Sequence, residues 1–446
     1  MTDGDGLQEE DDGEASRVSY TLTPGDSSVE EAERREARAM RKLLISVLVG
    51  LVAAGAGTPA AARTAEPDID VVASWTGLAL DAVRATRAAD ADAARLYALV
   101  NVAMFDAVNG IGGRREPALI GGHGPRHANR QAAAAAAAHA VLVRSDPART
   151  AAYDGELAAG LASLRHGVND GAAWGRHVGE AVVAARADDG SSPVESQAAG
   201  SGPGVFRAAW PGVQYRNVRP FAVANPGRYV PGPPPALDSA AYAAAFAEVA
   251  VVGDGRVPAP ESLAIYQFWS LPAGSSQPPG EWLRIASAVA AERDLGLSDE
   301  VRLGALISMA LADTTVVTVG TKYTYRHWRP TTAIHESATA PDPAWVSRAG
   351  SVGSSPEYVS GHSSYSGAGA TVLAGFFHTD RISFSHATDS APGGAARSYP
   401  GFSAAAAEAG RSRVLGGLHF DFSNRAGLEI GRAVAVEVLA TSLRAR

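Results

Sequence analysis

Three stretches of the 446-residue chain bring together side chains that can hold an anion and move a proton. The first, TKYTYRHWRP, carries Lys322 and Arg329 seven residues apart. The second, EYVSGHSSYSG, places Ser360, Gly361 and His362 just ahead of a helical run. A serine hydroxyl, a glycine amide and a histidine at a helix N-terminus make an anion cradle with a titratable group attached. The third, RSRVLGGLHFDF, sets Arg413 six residues before His419, across the pair Gly416-Gly417.

Taken singly, each stretch has other readings. Lys322 and Arg329 could complement a helix dipole, with Trp328 packed nearby. His362 could be a helix-start histidine beside the turn and packing glycines Gly361 and Gly367. GHSSY is similar to the nucleophile elbow of serine hydrolases, with Ser363 as nucleophile. Tyr365 stands where the second glycine is needed, however, and SVGSSPEYV is a poor buried strand to precede it. His419 and Asp421 suggest a metal pair, but no matching His or carboxylate pattern backs it.

The elements that must position these residues are helices. Leu303, Leu306, Ile307 and Ala310 follow a helical period, behind Ser298 as N-cap with Asp299 and Glu300 in the first turn. Pro330 disfavours helix at Arg329, so Lys322 is expected at a helix end and Arg329 in the turn beyond it. Ile430, Val434 and Val438 mark the buried face of a C-terminal helix. Further helical stretches are expected at about 71–110, 130–145, 147–164, 171–187, 238–252 and 281–295. Segment 188–236, with Trp210, Tyr215, Phe221 and Tyr229 among its glycines and prolines, reads as a packed irregular connection. Adjacent Gly416-Gly417 predict a turn or a close backbone approach.

The totals, 46% hydrophobic and 19% charged residues, describe a globular chain. A formal charge of -8 argues against nucleic acid or anionic membrane as a general partner. The absence of cysteine excludes disulfides and thiolate chemistry. Residues 1–39 read as a disordered acidic leader, and translation starting at Met40 would remove it. Residues 40–65 have the basic start, apolar stretch and small residues of a signal peptide, so the chain is expected to be secreted or periplasmic; the alternative is an uncleaved membrane anchor over the uncharged Leu43 to Ala62, which Gly, Ala and Pro59 make weakly hydrophobic. The body divides into an N-terminal helical half, 66–235, and a C-terminal catalytic half, 236–446, packed in one compact body.

In their order and spacing, K-x6-R-P, S-G-H and S-R-x5-H (Ser412, Arg413, His419) resemble the type 2 phosphatidic acid phosphatase and vanadium-dependent haloperoxidase superfamily. ARLYALVNVAMFDAVNG, together with the surroundings of Lys322, looks like its bacterial haloperoxidase-like branch. The resemblance implies an all-α helical-bundle fold. It also implies a vanadate cofactor, or phosphate in the same site, held by Lys322, Arg329, Ser360, Gly361, Arg413 and His419. Arg329 and Arg413 would each offer a two-pronged fork and Lys322 a compact point charge. His419 would coordinate vanadium, or attack phosphorus in a phosphatase through a phosphohistidine. His362 would be the general acid and base, and Lys322 would polarise bound peroxide.

The implied activity is oxidation of halide by hydrogen peroxide to a hypohalous equivalent that halogenates a small organic acceptor. The alternative is a soluble secreted acid phosphatase of the same fold, and a binding module without turnover is a third class. Two departures from the family pattern bear on the choice. Ser423 stands where many members, the phosphatases above all, carry an aspartate four residues after the histidine, which predicts weaker support for His419. Ser354 and Ser355 occupy the neighbourhood where bulky residues shape the halide site in well-known haloperoxidases. No run after residue 65 approaches 18 uninterrupted apolar residues, so a soluble catalytic body is expected. His327, Trp328 and His335 are expected at the surface or in packing roles.

Overall fold

Helices account for nearly all the regular structure, as the periodicity predicts. A computed structural model describes residues 70–446; the expected leader and signal segment lie outside the described residues. The first helices are α1 (Val71–Thr86), α2 (Asp90–Gly112), α3 (Arg130–Ser145), α4 (Thr150–Ser163) and α5 (Val168–Ala185). The stretch read as one helix over 71–110 is broken, because Arg87 is left-handed (φ 54°) and α2 restarts with Asp90 and Asp92 in its first turn. Seven consecutive alanines, Ala132–Ala138, are buried along α3 and let α5 pack closely against it.

Segment 188–236 is irregular, as expected, apart from an antiparallel ribbon of β1 (Ser196–Gln197) and β2 (Trp210–Pro211) and short 3-10 turns. Asp313 holds it to the bundle by accepting the amides of Phe221, Ala222 and Val223 at 2.6–2.9 Å. Burial pushes that carboxyl up to about 6 even so.

The second half contains α6 (Ala240–Val252), α7 (Pro260–Phe268), α8 (Gln277–Glu292), α9 (Leu297–Tyr325) and α10 (Pro330–His335). It continues with α11 (Gly361–Phe376), the ribbon β3 (Phe384–His386) and β4 (Arg397–Tyr399), α12 (Phe402–Leu415) and α13 (Asp421–Thr441). The 29-residue α9 is the central post, packed against α2, α11 and α13. It is long and apolar enough to cross a membrane by composition, but 89% of its most apolar window is buried inside the protein. Its N-cap is Gly296 and not Ser298, whose hydroxyl instead receives a hydrogen bond from Arg130.

Helices from both halves, including Leu99 and Val100 of α2 and Leu306 and Ile307 of α9, share one large core. A smaller aromatic core, with Tyr242, Trp328, Trp345 and Phe420, lies under the third motif. Two glycines fix the geometry there. Gly431 of α13 would place a Cβ only 1.9 Å from the Ser364 carbonyl of α11, so the helix starting at the S-G-H motif and the helix following His419 touch backbone to backbone. Gly417 adopts φ 73°, and a Cβ there would lie 2.8 Å from both the Gly253 carbonyl and the Trp345 ring. Gly417→Ala is therefore expected to destabilise the protein by about 2 kcal/mol or more, read as a lower midpoint in urea unfolding.

Candidate active site

Arg413 sits in the last turn of α12, and its backbone carbonyl accepts the amides of both Leu418 and His419 at 3.0 and 3.3 Å. The Gly416-Gly417 turn thus folds the chain back so that the third motif's arginine and histidine share one pocket. Lys322 is in the last turn of α9 and Arg329 is the N-cap of α10, as Pro330 predicts. Ser360 is the N-cap of α11, with Gly361 and His362 in its first turn. The amides of such a first turn have no acceptor within the helix.

Lys322, Arg329, His362, Arg413 and His419 lie close enough to act on one another's charge, and the Ser360 amide donates to the Ser423 carbonyl at 3.3 Å, which sets the S-G-H turn beside the helix that follows His419. The Arg329 guanidinium donates to His419 Nε2 at 2.9 Å, to the Leu418 carbonyl at 2.8 Å and, through Nε, to the Ser355 carbonyl at 2.8 Å. Lys322 donates its ammonium protons to the Pro356 carbonyl and, at 3.5 Å, to that of Glu357. Burial, together with Arg329 and Arg413, pushes the Lys322 ammonium well below its usual range. Burial likewise lowers Arg329 and Arg413 to about 10. Three cations are thus packed where they penalise one another. Among the described residues, Arg413 Nε and one of its terminal nitrogens are buried with no partner. Buried donors without partners are costly and rare, and at this place they are what an oxyanion would satisfy.

The hydrogen-bond geometry fixes the proton positions on both histidines. Arginine can only donate, so His419 Nε2 must be an unprotonated acceptor and Nδ1 carries the proton. Burial and Arg329 keep the ring neutral against the opposing pull of Glu357. His362 Nε2 lies 3.1 Å from the Ser270 carbonyl, which can only accept, leaving Nδ1 as its basic nitrogen. Burial, with Arg413 next, lowers His362 well below its ordinary value.

Ser363 is not a nucleophile. It lies inside α11, fully buried, with Oγ 2.8 Å from Ser360 Oγ and 3.0 Å from Asn424 Oδ1. Ser363→Ala should leave turnover within about threefold and cost about 1–3 kcal/mol, because Asn424 Oδ1 loses its donor. Parallel rate and melting measurements check both. Among the described residues no cluster of His, Asp or Glu suits a bare metal ion, so the pairing of His419 with Asp421 has no support.

Glu357 is the functional residue that sequence reasoning missed. It is completely buried, and its Oε1 accepts His419 Nδ1 and the Phe420 amide, each at 3.0 Å, while Oε2 lies 3.2 Å from His327 Nδ1. Burial would raise the carboxyl, but the bonds from His327 and His419 outweigh it and keep Glu357 ionised. The weaker support expected at His419 is accordingly corrected. Ser423 reaches Nδ1 only at 3.4 Å and donates to the Glu357 carbonyl, and the carboxylate comes from Glu357 instead of from four residues downstream. His327 is also corrected in part: it is buried against Glu357 as well as packed. Trp328 and His335 do have packing roles, bonded to Tyr242 Oη and the Trp345 carbonyl.

Two further residues border the pocket from elements that no motif marked. The Tyr266 ring of α7 has its centroid 5.5 Å from Arg413 Cζ. Asp90, first residue of α2, has Oδ2 3.7 Å from where a Cβ of Gly361 would be. Burial raises its carboxyl, and Lys322 opposes the shift.

A helical bundle with a buried cationic pocket that also holds two histidines is the class of protein that fold and site define. More particularly, residues 302–445 match the family described as VCPO second helical-bundle domain. The fold is that of a bacterial vanadium-dependent iodoperoxidase, with TM-score 0.76 and 23% identity over 85% of this chain and 99% of that one. It is also similar to holo and apo structures of a bacterial vanadium-dependent chloroperoxidase. Their TM-scores are 0.61 and 0.60 at 17% and 16% identity, over 79% and 78% of this chain and 92% of each of those. No curated protein matches the sequence.

Proposed function

We propose that this protein is a vanadate-dependent haloperoxidase that uses hydrogen peroxide to oxidise halide to a hypohalous equivalent, which halogenates a small organic acceptor. The observation that carries the reading is the pairing of an unprotonated His419 Nε2 with unpartnered buried donors on Arg413, beside Lys322 and Arg329. That donor set fits vanadate. Nε2 offers a lone pair, the two guanidinium groups and the ammonium offer charge-assisted hydrogen bonds, and the first turn of α11 offers Ser360 and the amides of Gly361 and His362.

When bound, vanadate supplies a Lewis acid that activates peroxide toward halide without itself changing oxidation state. The chain's own groups do the rest. Arg329, Arg413 and Lys322 would neutralise the oxyanion and keep it oriented, and Lys322 would polarise the peroxide. His362 Nδ1 would take and return the peroxide proton while Nε2 stays bonded to the Ser270 carbonyl. We place the enzyme outside the cytoplasm on the signal-like pattern of 40–65.

A paired assay on one preparation tests the function. With orthovanadate, peroxide and iodide, bromide or chloride, a diketone reporter should be halogenated. Without vanadate, an aryl phosphate should not be hydrolysed. Hydrolysis that vanadate inhibits, with no halogenation, would establish the phosphatase alternative instead.

A further inference from the structure

Glu357 and His327 are unexplained by the motifs, and the geometry around them is specific. Among the described residues, Glu357 is the one carboxylate hydrogen-bonded to His419, and its two oxygens are divided. Oε1 serves His419 and the Phe420 amide, and Oε2 faces His327. The His327 ring lies in an aromatic cage, edge-on to Tyr242, Phe420 and Phe422 with centroids 5.8–6.1 Å away. Its Nε2 is buried there with no partner among the described residues. A phenylalanine would fill this cage without leaving a nitrogen unsatisfied, so packing does not account for a histidine. What histidine adds is the Nδ1 proton directed at Oε2.

We propose that Glu357, steadied by His327, is the positioning residue that keeps the His419 proton on Nδ1 and aims the Nε2 lone pair at the oxyanion. The proposal rests on the oxyanion site described above. A free carboxylate could rotate and serve His419 with either oxygen or with neither. With Oε2 held by His327 and Oε1 by the Phe420 amide, only one orientation remains, and it presents Oε1 to Nδ1. Outer partners of this kind typically matter about 10–100-fold in affinity when they orient a ligating histidine. The role normally given to a residue four positions after the histidine is here filled from a segment 62 residues earlier in the chain.

The test is calorimetric titration of the purified full chain with orthovanadate and, separately, with inorganic phosphate. Vanadate draws on the Nε2 lone pair as well as on the cations, whereas resting phosphate draws on the cations alone. Glu357→Gln should weaken vanadate binding by about 10-fold or more and leave phosphate affinity unchanged or higher. Equal weakening of both anions, or of neither, would reduce Glu357 to a structural role and overturn the proposal.

If the glutamine variant does not fold, a second pair decides. His327→Gln keeps a donor for Oε2 and should bind vanadate nearly as the wild type does, whereas His327→Phe should lose affinity despite suiting the cage. Phenylalanine binding as well as or better than glutamine would overturn the assignment. A wild type that binds phosphate but not vanadate would refute the haloperoxidase reading itself, an outcome distinct from either failure.

Discussion

Replacement of His419 by alanine is expected to reduce halogenation at least about 10³-fold, a loss of roughly 4 kcal/mol in transition-state stabilisation. It should also abolish saturable vanadate binding. The side chain supplies an unprotonated imidazole nitrogen beside the cations, and the pocket's other imidazole, His362, has its Nδ1 reserved for the proton in the proposed reaction. The neighbours do not depend on the ring for their own bonds. Arg329 retains the Leu418 and Ser355 carbonyls, and Glu357 retains the Phe420 amide and His327. The variant should therefore fold, and added imidazole should restore part of the activity by occupying the vacated volume. An alanine variant with full activity would remove His419 from the chemistry, and with it the proposed function.

The charge inventory explains why an oxyanion is the natural guest. Lys322, Arg329 and Arg413 are buried together, and Glu357 is the fully buried carboxylate among them. Their formal sum is an excess of two positive charges, or of one where Asp90 at the pocket's edge is ionised, before any histidine is counted. Desolvation keeps such an excess costly, so a doubly negative tetrahedral anion should relieve it and stabilise the fold. The acidic protein as a whole conceals this pocket, because its net charge of -8 is carried elsewhere.

The parts of the site that spacing could reveal were those that a local turn or helix end creates. Pro330 ends one geometry and begins another, so Lys322 and Arg329 could be placed from sequence. The double glycine announced the turn that returns His419 to Arg413. Glu357 lies inside the motif EYVSGH yet carries no signal of its role, because its partners are 30 and 62 residues away and meet it only once α9, α11 and α13 pack. Tyr266, Ser270 and Asp90 were hidden for the same reason. In the fold, α8 begins at Gln277 and not near 281, because Pro278 and Pro279 occupy the first turn, where a missing amide costs nothing. The short helix α7 escaped notice because its nine residues span only about two and a half turns, too few to show a period.

The second large effect is expected at His362. Its Nε2 proton is committed to the Ser270 carbonyl, so Nδ1 is the one nitrogen able to exchange a proton with a reacting group. Burial and Arg413 lower its pKa well below the ordinary 6.5, so at neutral pH it enters the reaction as a base. His362→Ala should therefore reduce turnover by about 10²–10⁴-fold while leaving vanadate affinity within a few fold, the reverse of a binding defect. The same shift has a sign in stability. Between the depressed native value and 6.5 the unfolded chain holds more protons than the folded one, so stability is complete above 6.5 and declines as pH falls through that window. In vanadate-free protein the alanine variant lacks this contribution. Its urea-unfolding free energy should fall less steeply than the wild type's from pH 7 toward pH 5. Parallel pH curves, or a strong loss of vanadate binding on substitution, would show that His362 is held for structure and not for proton transfer.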